Sequence, residues 1–251
     1  HPCAPSALAL EHACGEALGW GYNVYRQRDV PAAKPDRALS AVYAGAFHSG
    51  VLTAKGELLC GGLNAHYACG RDGGSCEPSA LALPITVEWG PLSWPGGNTV
   101  HVVRVALGLR HSLAVCESGG LWSWGCNSHG QTGDAPERSK HLPRQQKRLC
   151  WFGSESRDGG LEWPAEWRAR DVAAGQSHSL LLTREGEVKL MGSMSFSQEL
   201  SPGGWLRPLN QHGDAFYSDG TLRSRGSWPR GEAAVCVSAG LAHSLVLTSR
   251  G

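Results

Sequence analysis

Four histidines of this sequence are each followed by a serine, a combination that could support chemistry. They are His48, His111, His178 and His243, and each ends a Gly-x-x-His segment. Several imidazoles brought together could hold a metal ion, and a histidine beside a serine could act as the base for a nucleophilic hydroxyl. Both kinds of site require side chains to converge, so the elements that carry them must be identified first.

The histidines belong to an internal repeat that has a glycine eight positions after the histidine and a second glycine six positions later. Four copies have the histidine and both glycines, which we call the marks of the repeat. They are His48 with Gly56 and Gly62, His111 with Gly119 and Gly125, His178 with Gly186 and Gly192, and His212 with Gly220 and Gly226. Another copy has Ala7 in place of the histidine, and the last copy runs from His243 to Gly251. One unit is therefore used several times.

Each copy is predicted to be a β-hairpin. The alternating apolar run that begins at Ser112 suits a half-buried strand, and the first glycine supplies the positive φ that a tight hairpin requires. The second glycine lies in a Trp-Gly-x-Asn segment, which contains Trp124, Gly125 and Asn127 in the best copy. It marks a place where a larger side chain would collide with a neighbouring backbone or where the strand must bend.

The spacing of the copies predicts the architecture. His48, His111 and His178 are 63 and 67 residues apart, which leaves room for the four short strands of one propeller blade. Other intervals between first glycines are 41, 34 and 31 residues, so some blades are expected to be incomplete. We predict an all-β fold, a single β-propeller domain over residues 1–251 with six to seven blades, some of them degenerate.

This architecture argues against a site made by the histidines. Equivalent positions in different blades are separated around a ring, and neighbouring residues on a strand point to opposite faces. Each histidine is instead expected to satisfy the backbone of its own blade. Phosphate-binding loops, nucleophile elbows and zinc-type cysteine spacings are missing as motifs, so we expect no catalytic residue, no metal and no cofactor.

The repeat resembles that of the regulator of chromosome condensation family. Its marks are G-x-x-H-S-x-x-L, a turn glycine and then W-G-x-N-x-x-G-Q-x-G, and they are most complete between Gly108 and Gly133, where the chain reads WGCNSHGQTG. The similarity extends over most of the chain, from about Ala7 to Gly251. It implies the seven-bladed propeller of that family.

The resemblance implies less about activity. Members include exchange factors for small GTPases, chromatin-associated proteins, a plant photoreceptor, domains of ubiquitin ligases and subunits that only provide a docking surface. Since a fold does not specify a function, we expect a non-enzymatic interaction module that is a scaffold subunit of a protein or ribonucleoprotein assembly. The alternative is a guanine-nucleotide exchange factor for a small GTPase.

Candidate contact residues lie in the long connection after the best copy. A run that begins at Glu137 contains Arg144, Lys147 and Arg148, and Trp163 and Trp167 follow it. Basic and aromatic side chains in an insert on a rigid scaffold are typical of partner recognition. These five residues are predicted to bind another protein, and nucleic acid could be bound only through this local basic segment.

Composition adds limits on the class of protein. The 23 Lys and Arg residues nearly balance the 22 Asp and Glu residues, for a net charge of +1, which is unlike a general nucleic-acid binder. Nine cysteines without a CxxC pair predict reduced thiols and an intracellular protein of unspecified compartment. No apolar run approaches the roughly 20 residues that a membrane span requires.

Overall fold

The structure is a computed structural model, and every regular element in the part of the chain it describes is a β-strand. Those residues are 7–11, 16–34, 36–71, 86–92, 94, 100–133, 137–145, 148–149, 161–162, 168–192, 207–208, 215–216, 222–223 and 233–249. Within these ranges there is no helix that could span a bilayer.

The strands form four-stranded antiparallel sheets and two-stranded ladders in chain order. A ladder of β1 (Ala7–Glu11) and β2 (Glu16–Trp20) comes first. The first sheet contains β3 (Leu39–Ala44), β4 (His48–Thr53), β5 (Leu58–Leu63) and β6 (Thr86–Pro91). The second contains β7 (Val102–Leu107), β8 (His111–Cys116), β9 (Leu121–Asn127) and β10 (Glu137–Gln145), and the ladder of β11 (Arg148–Leu149) and β12 (Leu161–Glu162) follows it.

The third sheet and two ladders complete the described elements. This sheet contains β13 (Ala169–Ala174), β14 (His178–Thr183), β15 (Val188–Gly192) and β16 (Arg207–Pro208). The ladders are β17 (Ala215–Phe216) with β18 (Leu222–Arg223), and β19 (Ala234–Ala239) with β20 (Ser244–Thr248). The degenerate copy that begins at His212 thus shows only two-residue strands in the described part of the chain.

The predicted hairpins are the two middle strands of each sheet. Each histidine opens the second strand and is paired with the second glycine on the third strand, as in His111 with Gly125. At the opposite end of this hairpin, Gly119 has φ +87° and donates its amide to the carbonyl of Cys116 at 2.8 Å. The positive φ of the first glycine is therefore what allows the chain to reverse in so few residues.

The second glycine is needed because two backbones approach closely. Gly125 has φ +94°, and a Cβ built on it would lie 2.6 Å from the carbonyl oxygen of Arg110 and 2.7 Å from the Cα of His111. Its position in the hairpin therefore excludes any side chain, in agreement with one of the two reasons expected from the sequence.

The hydrophobic core lies between neighbouring sheets, and each second strand contributes to two interfaces. On β8, Leu113 and Val115 pack with Val172 of the third sheet, whereas Ala114 packs with Leu52 of the first sheet. Because successive side chains of a strand face opposite ways, one strand serves both neighbours. The sheets therefore stack side by side, and all three histidines stand at equivalent interfaces.

Replacing Gly125 by alanine should destabilise the fold strongly. The new methyl group combines a left-handed backbone with two contacts below 3.0 Å, so we expect a loss of roughly 2–5 kcal/mol in the free energy of unfolding, measured by urea denaturation. Gly50→Ala is the matched control, because its Cβ would meet only side-chain atoms at 3.3 Å or more. Equal effects of the two substitutions would contradict this account.

Candidate functional site

The histidine and serine pairs do not converge on one site but join neighbouring sheets. The Nε2 atom of His48 is 2.8 Å from Ser112 Oγ, that of His111 is 2.8 Å from Ser179 Oγ, and that of His178 is 3.0 Å from Ser244 Oγ. The expectation that each histidine satisfies its own blade is wrong. Since the histidine and the serine of one strand face opposite neighbours, each reaches the next or the preceding sheet.

The hydrogen bonds determine where the proton of each imidazole lies. Ser112 Oγ donates to the carbonyl of Ala68 at 2.7 Å, and Ser179 Oγ donates to that of Gln131 at 2.8 Å. A hydroxyl has one proton to donate, so Nε2 of His48 and of His111 must donate to the serine oxygen. Nε2 of both imidazoles therefore carries a proton, and each imidazole is neutral because its Nδ1 is buried without a hydrogen-bond partner among the described residues.

Burial agrees with this assignment. Loss of solvation lowers the pKa of His48 to about 4, and it lowers the pKa of His111 to about 3 with smaller contributions from the neighbouring histidines. The Nδ1 atoms of His48, His111 and His178 are buried and have no hydrogen-bond partner in the part of the chain that the structure describes. A charged imidazole would be unstable there.

This geometry is unsuited to the chemistry that the residue types suggested. A general base must accept the serine proton, but here the imidazole is the donor and the serine proton is already held by a carbonyl group. The described residues also contain no group of three or more His, Cys, Asp or Glu side chains that could hold a metal ion. The recurring pairs thus act as connectors.

The segment that contains the second glycine and the asparagine two residues later shapes the loops that receive Ser112 and Ser179. We call the segments that begin at its asparagine the Asn loops, at residues 23–29, 64–71 and 127–133. Asn127 Oδ1 accepts hydrogen bonds from the amide and the hydroxyl of Thr132, at 3.0 and 2.6 Å. Trp124 is fully buried and donates from Nε1 to the carbonyl of Ala68 at 2.9 Å. The tryptophan therefore also reaches the preceding sheet.

Backbone hydrogen bonds join each pair of sheets at both ends of the hairpin. The amide of Leu109 donates to the carbonyl of Gly175 at 3.1 Å, at the histidine end. At the turn end, the amide of Ala169 donates to the carbonyl of Gly119 at 2.9 Å. Each seam, meaning one interface between neighbouring sheets, thus combines a central histidine–serine bond with a backbone bond at either end.

The outer copies differ from the inner ones at the same positions. Ser49 Oγ is buried without a partner among the described residues, and the preceding copy has Ala7 at the histidine position. His243 is exposed, and Trp20 is 53% exposed whereas Trp124 is 0% exposed. The exposed His243 and Trp20 can therefore serve as controls for the buried His111 and Trp124.

The predicted contact residues lie partly outside the described residues, which do not include Lys147, Trp163 or Trp167. Arg144 lies in β10, where it pairs with Ser123, and Arg148 lies in β11. The run from Glu137 is therefore a strand with two register shifts instead of the expected loop. The repeat marks His212, Gly220, Gly226 and Gly251 also lie outside the described residues.

A second cluster that the sequence analysis missed lies on the Asn loops. The position three residues after the asparagine is Gly130 in one loop, with φ +77°, but it is Arg26 in another and Tyr67 in the third. Both larger residues keep the left-handed conformation, at φ +60° and +61°, which costs about 1 kcal/mol each. Aligning the three loops on their asparagines would have revealed this exchange.

Side chains beside these two residues contact the next sheet. The rings of Tyr25 and Phe47 meet edge to face with centroids 5.5 Å apart. One blade further on, Arg110 Nη1 lies 3.5 Å from His66 Nε2. Burial and the charge of Arg110 together lower the pKa of His66, so this imidazole accepts from the guanidinium. The two contacts occupy equivalent positions of successive repeats.

Removing a seam histidine should destabilise the protein, while removing the exposed copy should not. His111→Ala deletes a buried hydrogen bond and leaves a cavity, so we expect a loss of about 2–4 kcal/mol in the free energy of unfolding. His243→Ala, at the same repeat position, should change it by less than about 0.5 kcal/mol. Chemical denaturation of both variants measures the difference, and comparable losses would refute the connector role.

Acid should destabilise the fold through the same histidines. In the unfolded chain an imidazole binds a proton below its usual pKa of about 6.5, whereas folded His48 and His111 resist protonation until about pH 4 and 3. Stability is therefore unaffected by these groups above pH 6.5 and falls below it, by roughly 1.4 kcal/mol per pH unit for each histidine.

The decline can be measured as the midpoint of urea unfolding between about pH 6 and 5, above the range where most carboxylates titrate. His111→Gln should reduce the slope, and His243→Gln should leave it unchanged. An unaltered slope in His111→Gln would show that this imidazole is not held neutral.

Sequence comparison finds the same repeat. The family model described as "Regulator of chromosome condensation (RCC1) repeat" matches residues 102–131 and 169–198, and a second model with that description matches residues 118–182. The matched segments include both partners of the His111–Ser179 bond between the second and third sheets.

Two relatives illustrate the range of similarity. "RCC1 domain-containing protein RUG3, mitochondrial" of Arabidopsis thaliana is 29% identical over 168 residues, which are 66% of this chain and 31% of that protein. "Secretion-regulating guanine nucleotide exchange factor" of Mus musculus is 33% identical over 168 residues, 66% of this chain and 32% of that protein. The chain thus spans about a third of the length of these relatives.

A solved structure shows the fold. Prp20p from Saccharomyces cerevisiae, whose structure was described with its binding properties to Gsp1p and histones, superposes with a TM-score of 0.65 at 19% identity, covering 96% of this chain and 53% of that one. With the repeats matched and the sheets arranged alike, the chain belongs to the regulator of chromosome condensation repeat family and has its β-propeller fold.

Proposed function

We propose that this propeller is a non-catalytic protein-interaction module that serves as a scaffold subunit of a larger protein or ribonucleoprotein assembly. The observation that carries the proposal is the use of every buried histidine–serine bond as a connector between sheets. The histidine and the serine that recur in each complete repeat are thereby held in structural hydrogen bonds and are not available for catalysis. The loops, in contrast, vary between repeats. Loops on a rigid framework are suited to recognising a partner.

The predicted partner-binding residues remain Arg144, Lys147, Arg148, Trp163 and Trp167. Arg144 lies on the fourth strand of its sheet, and Arg148 lies on the following ladder. Because the whole chain is nearly neutral, attraction of an acidic partner must come from local clusters of this kind.

Nucleotide exchange on a small GTPase is the second candidate. It is favoured by the mouse relative at 33% identity, which is named a guanine nucleotide exchange factor. Such an activity requires no covalent step by the propeller, because exchange follows when a partner favours the empty state of the GTPase. A direct assay therefore has to separate the two candidates.

We propose an intracellular location. The five described cysteines, at 60, 69, 116, 126 and 236, are all free thiols, which suits a reducing compartment. Burial raises the pKa of Cys60 to about 12, so this thiol stays protonated. The Arabidopsis relative is named mitochondrial, and cell fractionation should therefore include mitochondria.

Affinity capture from native extract with the tagged chain tests the scaffold proposal. Charge reversal at Arg144, Lys147 and Arg148, combined with alanine at Trp163 and Trp167, should remove at least one captured protein identified by mass spectrometry. A control with Lys55→Glu and Arg184→Glu alters exposed charges at the turn end of the hairpins and should retain it. If every captured protein stays with the first variant, these residues do not bind the partner.

A nucleotide-release assay is run on the same preparation. We expect the rate of release of a fluorescent guanine nucleotide from a panel of small GTPases, including Gsp1p, to stay at the uncatalysed value. Acceleration far above that rate would replace the scaffold proposal with the exchange-factor alternative.

A further inference from the structure

The two ends of the hairpins differ in charge. At the histidine end, the Asn loops and the Gly-x-x-His segments of the described residues contain four arginines, Arg26, Arg28, Arg71 and Arg110, against the single carboxylate of Asp29. At the other end, four glutamates (Glu57, Glu117, Glu185 and Glu187) are balanced by Lys55 and Arg184, by Arg168, which donates to the carbonyl of Ser118, and by Lys189, which pairs with Glu187 at 2.8 Å. In a chain of net charge +1, this difference gives one face a local positive potential.

Within the positive face, larger residues replace glycine at two adjacent loops. Arg26 and Tyr67 occupy the repeat position of Gly130 and retain its left-handed conformation. Glycine is the residue that suits this backbone best, so backbone preference does not account for the arginine or the tyrosine. Strained residues of this kind concentrate at functional positions.

The same two loops hold the contacts that reach the next sheet. Tyr25 packs against Phe47 where the first ladder meets the first sheet, and His66 meets Arg110 over the seam between the first and second sheets. Together with Arg26 and Tyr67, these residues give the histidine end of adjacent repeats a cationic and aromatic character, and we call the six residues the loop patch. Arg26 and Arg110 are exposed, and the other four are partly exposed.

We propose that the loop patch binds an acidic segment of a partner protein. This inference deepens the proposed function, on which it rests, by giving the chemistry of the partner. Guanidinium groups form charge-assisted hydrogen bonds with carboxylates, and the neighbouring aromatic side chains supply apolar area with little loss of conformational freedom. Arg26 and Arg110 hold the carboxylates, while Tyr67 and Phe47 pack against the peptide.

A protein partner fits the patch better than a nucleic acid. Binding to a polyanion gains most of its free energy from neutralising many phosphates, whereas the loop patch contains only two arginines. The rings of Tyr25 and Phe47 also stand edge to face, with 81° between their planes, and do not form the open stacking platform that single-stranded nucleic acids use.

The test uses fluorescence anisotropy with a fluorescein-labelled oligoglutamate peptide. The wild-type chain should bind it, and Arg26→Gly and Arg110→Gln should each weaken binding about fivefold, with a further loss in the double variant. Arg184→Gln, which removes an exposed arginine from the turn end, should leave the affinity unchanged. Arg26→Gly and Tyr67→Gly should keep or raise the melting temperature, because glycine relieves the left-handed backbone.

Several results would overturn the proposal. These are an absence of wild-type binding, equal binding by Arg26→Gly and wild type, and tighter binding of a single-stranded DNA oligonucleotide than of the peptide at the same ionic strength. The Arg26→Gly/Arg110→Gln variant is also used in affinity capture. If it keeps every captured protein while the variant of residues 144–167 loses one, the loop patch is wrong and the scaffold proposal stands. Accelerated nucleotide release instead rejects the scaffold proposal, whatever the peptide result.

Discussion

The hydrogen bond from a buried histidine to a serine of the next sheet is the interaction on which the rest of this structure depends. It lies between backbone bonds at both ends of the seam, and its serine continues to a carbonyl group of an Asn loop, as His48 does through Ser112 to Ala68. The imidazole must be protonated at Nε2 for this chain of donors to work, and burial keeps the ring neutral. A single residue pair therefore connects two sheets and a loop.

Several other recurring residues of the repeat make room for that hydrogen bond or hold its partners in place. A Cβ at Gly108 would lie 2.5 Å from Cε1 of His111 and 2.5 Å from the carbonyl oxygen of Gly175, so the first glycine of Gly-x-x-His makes room for both the imidazole and the next loop. Gly125 makes room for the backbone at the histidine itself. The asparagine then holds the loop whose carbonyl accepts from the serine. Together these marks describe one interface, which is why they recur as a set.

In this arrangement, the residues that stabilise the fold are different from the residues that are exposed to a partner. Groups inside the seams are protected from solvent and from ligands, whereas the Asn loops can change without disturbing them. Tyr67 illustrates this freedom, since it occupies the repeat position of Gly130 at a cost in backbone energy while the neighbouring His48–Ser112 bond keeps the 2.8 Å length of the His111–Ser179 bond. The varied loops are accordingly where the relatives and this chain can differ in what they bind.

The sequence by itself determined the repeat, the hairpin turns, the close approach at the second glycine and the all-β class, because these follow from local backbone preferences and regular spacing. It could not assign the partner of each histidine, which lies 64 to 68 residues away in the next sheet, and so it placed that bond within one blade. It also treated the basic run from Glu137 as a loop, although pairing with β9 makes it a strand. Only the tertiary structure decided the proton position of the imidazoles, the gathering of arginines at the histidine end and the loop patch, because each depends on residues brought together across interfaces between sheets.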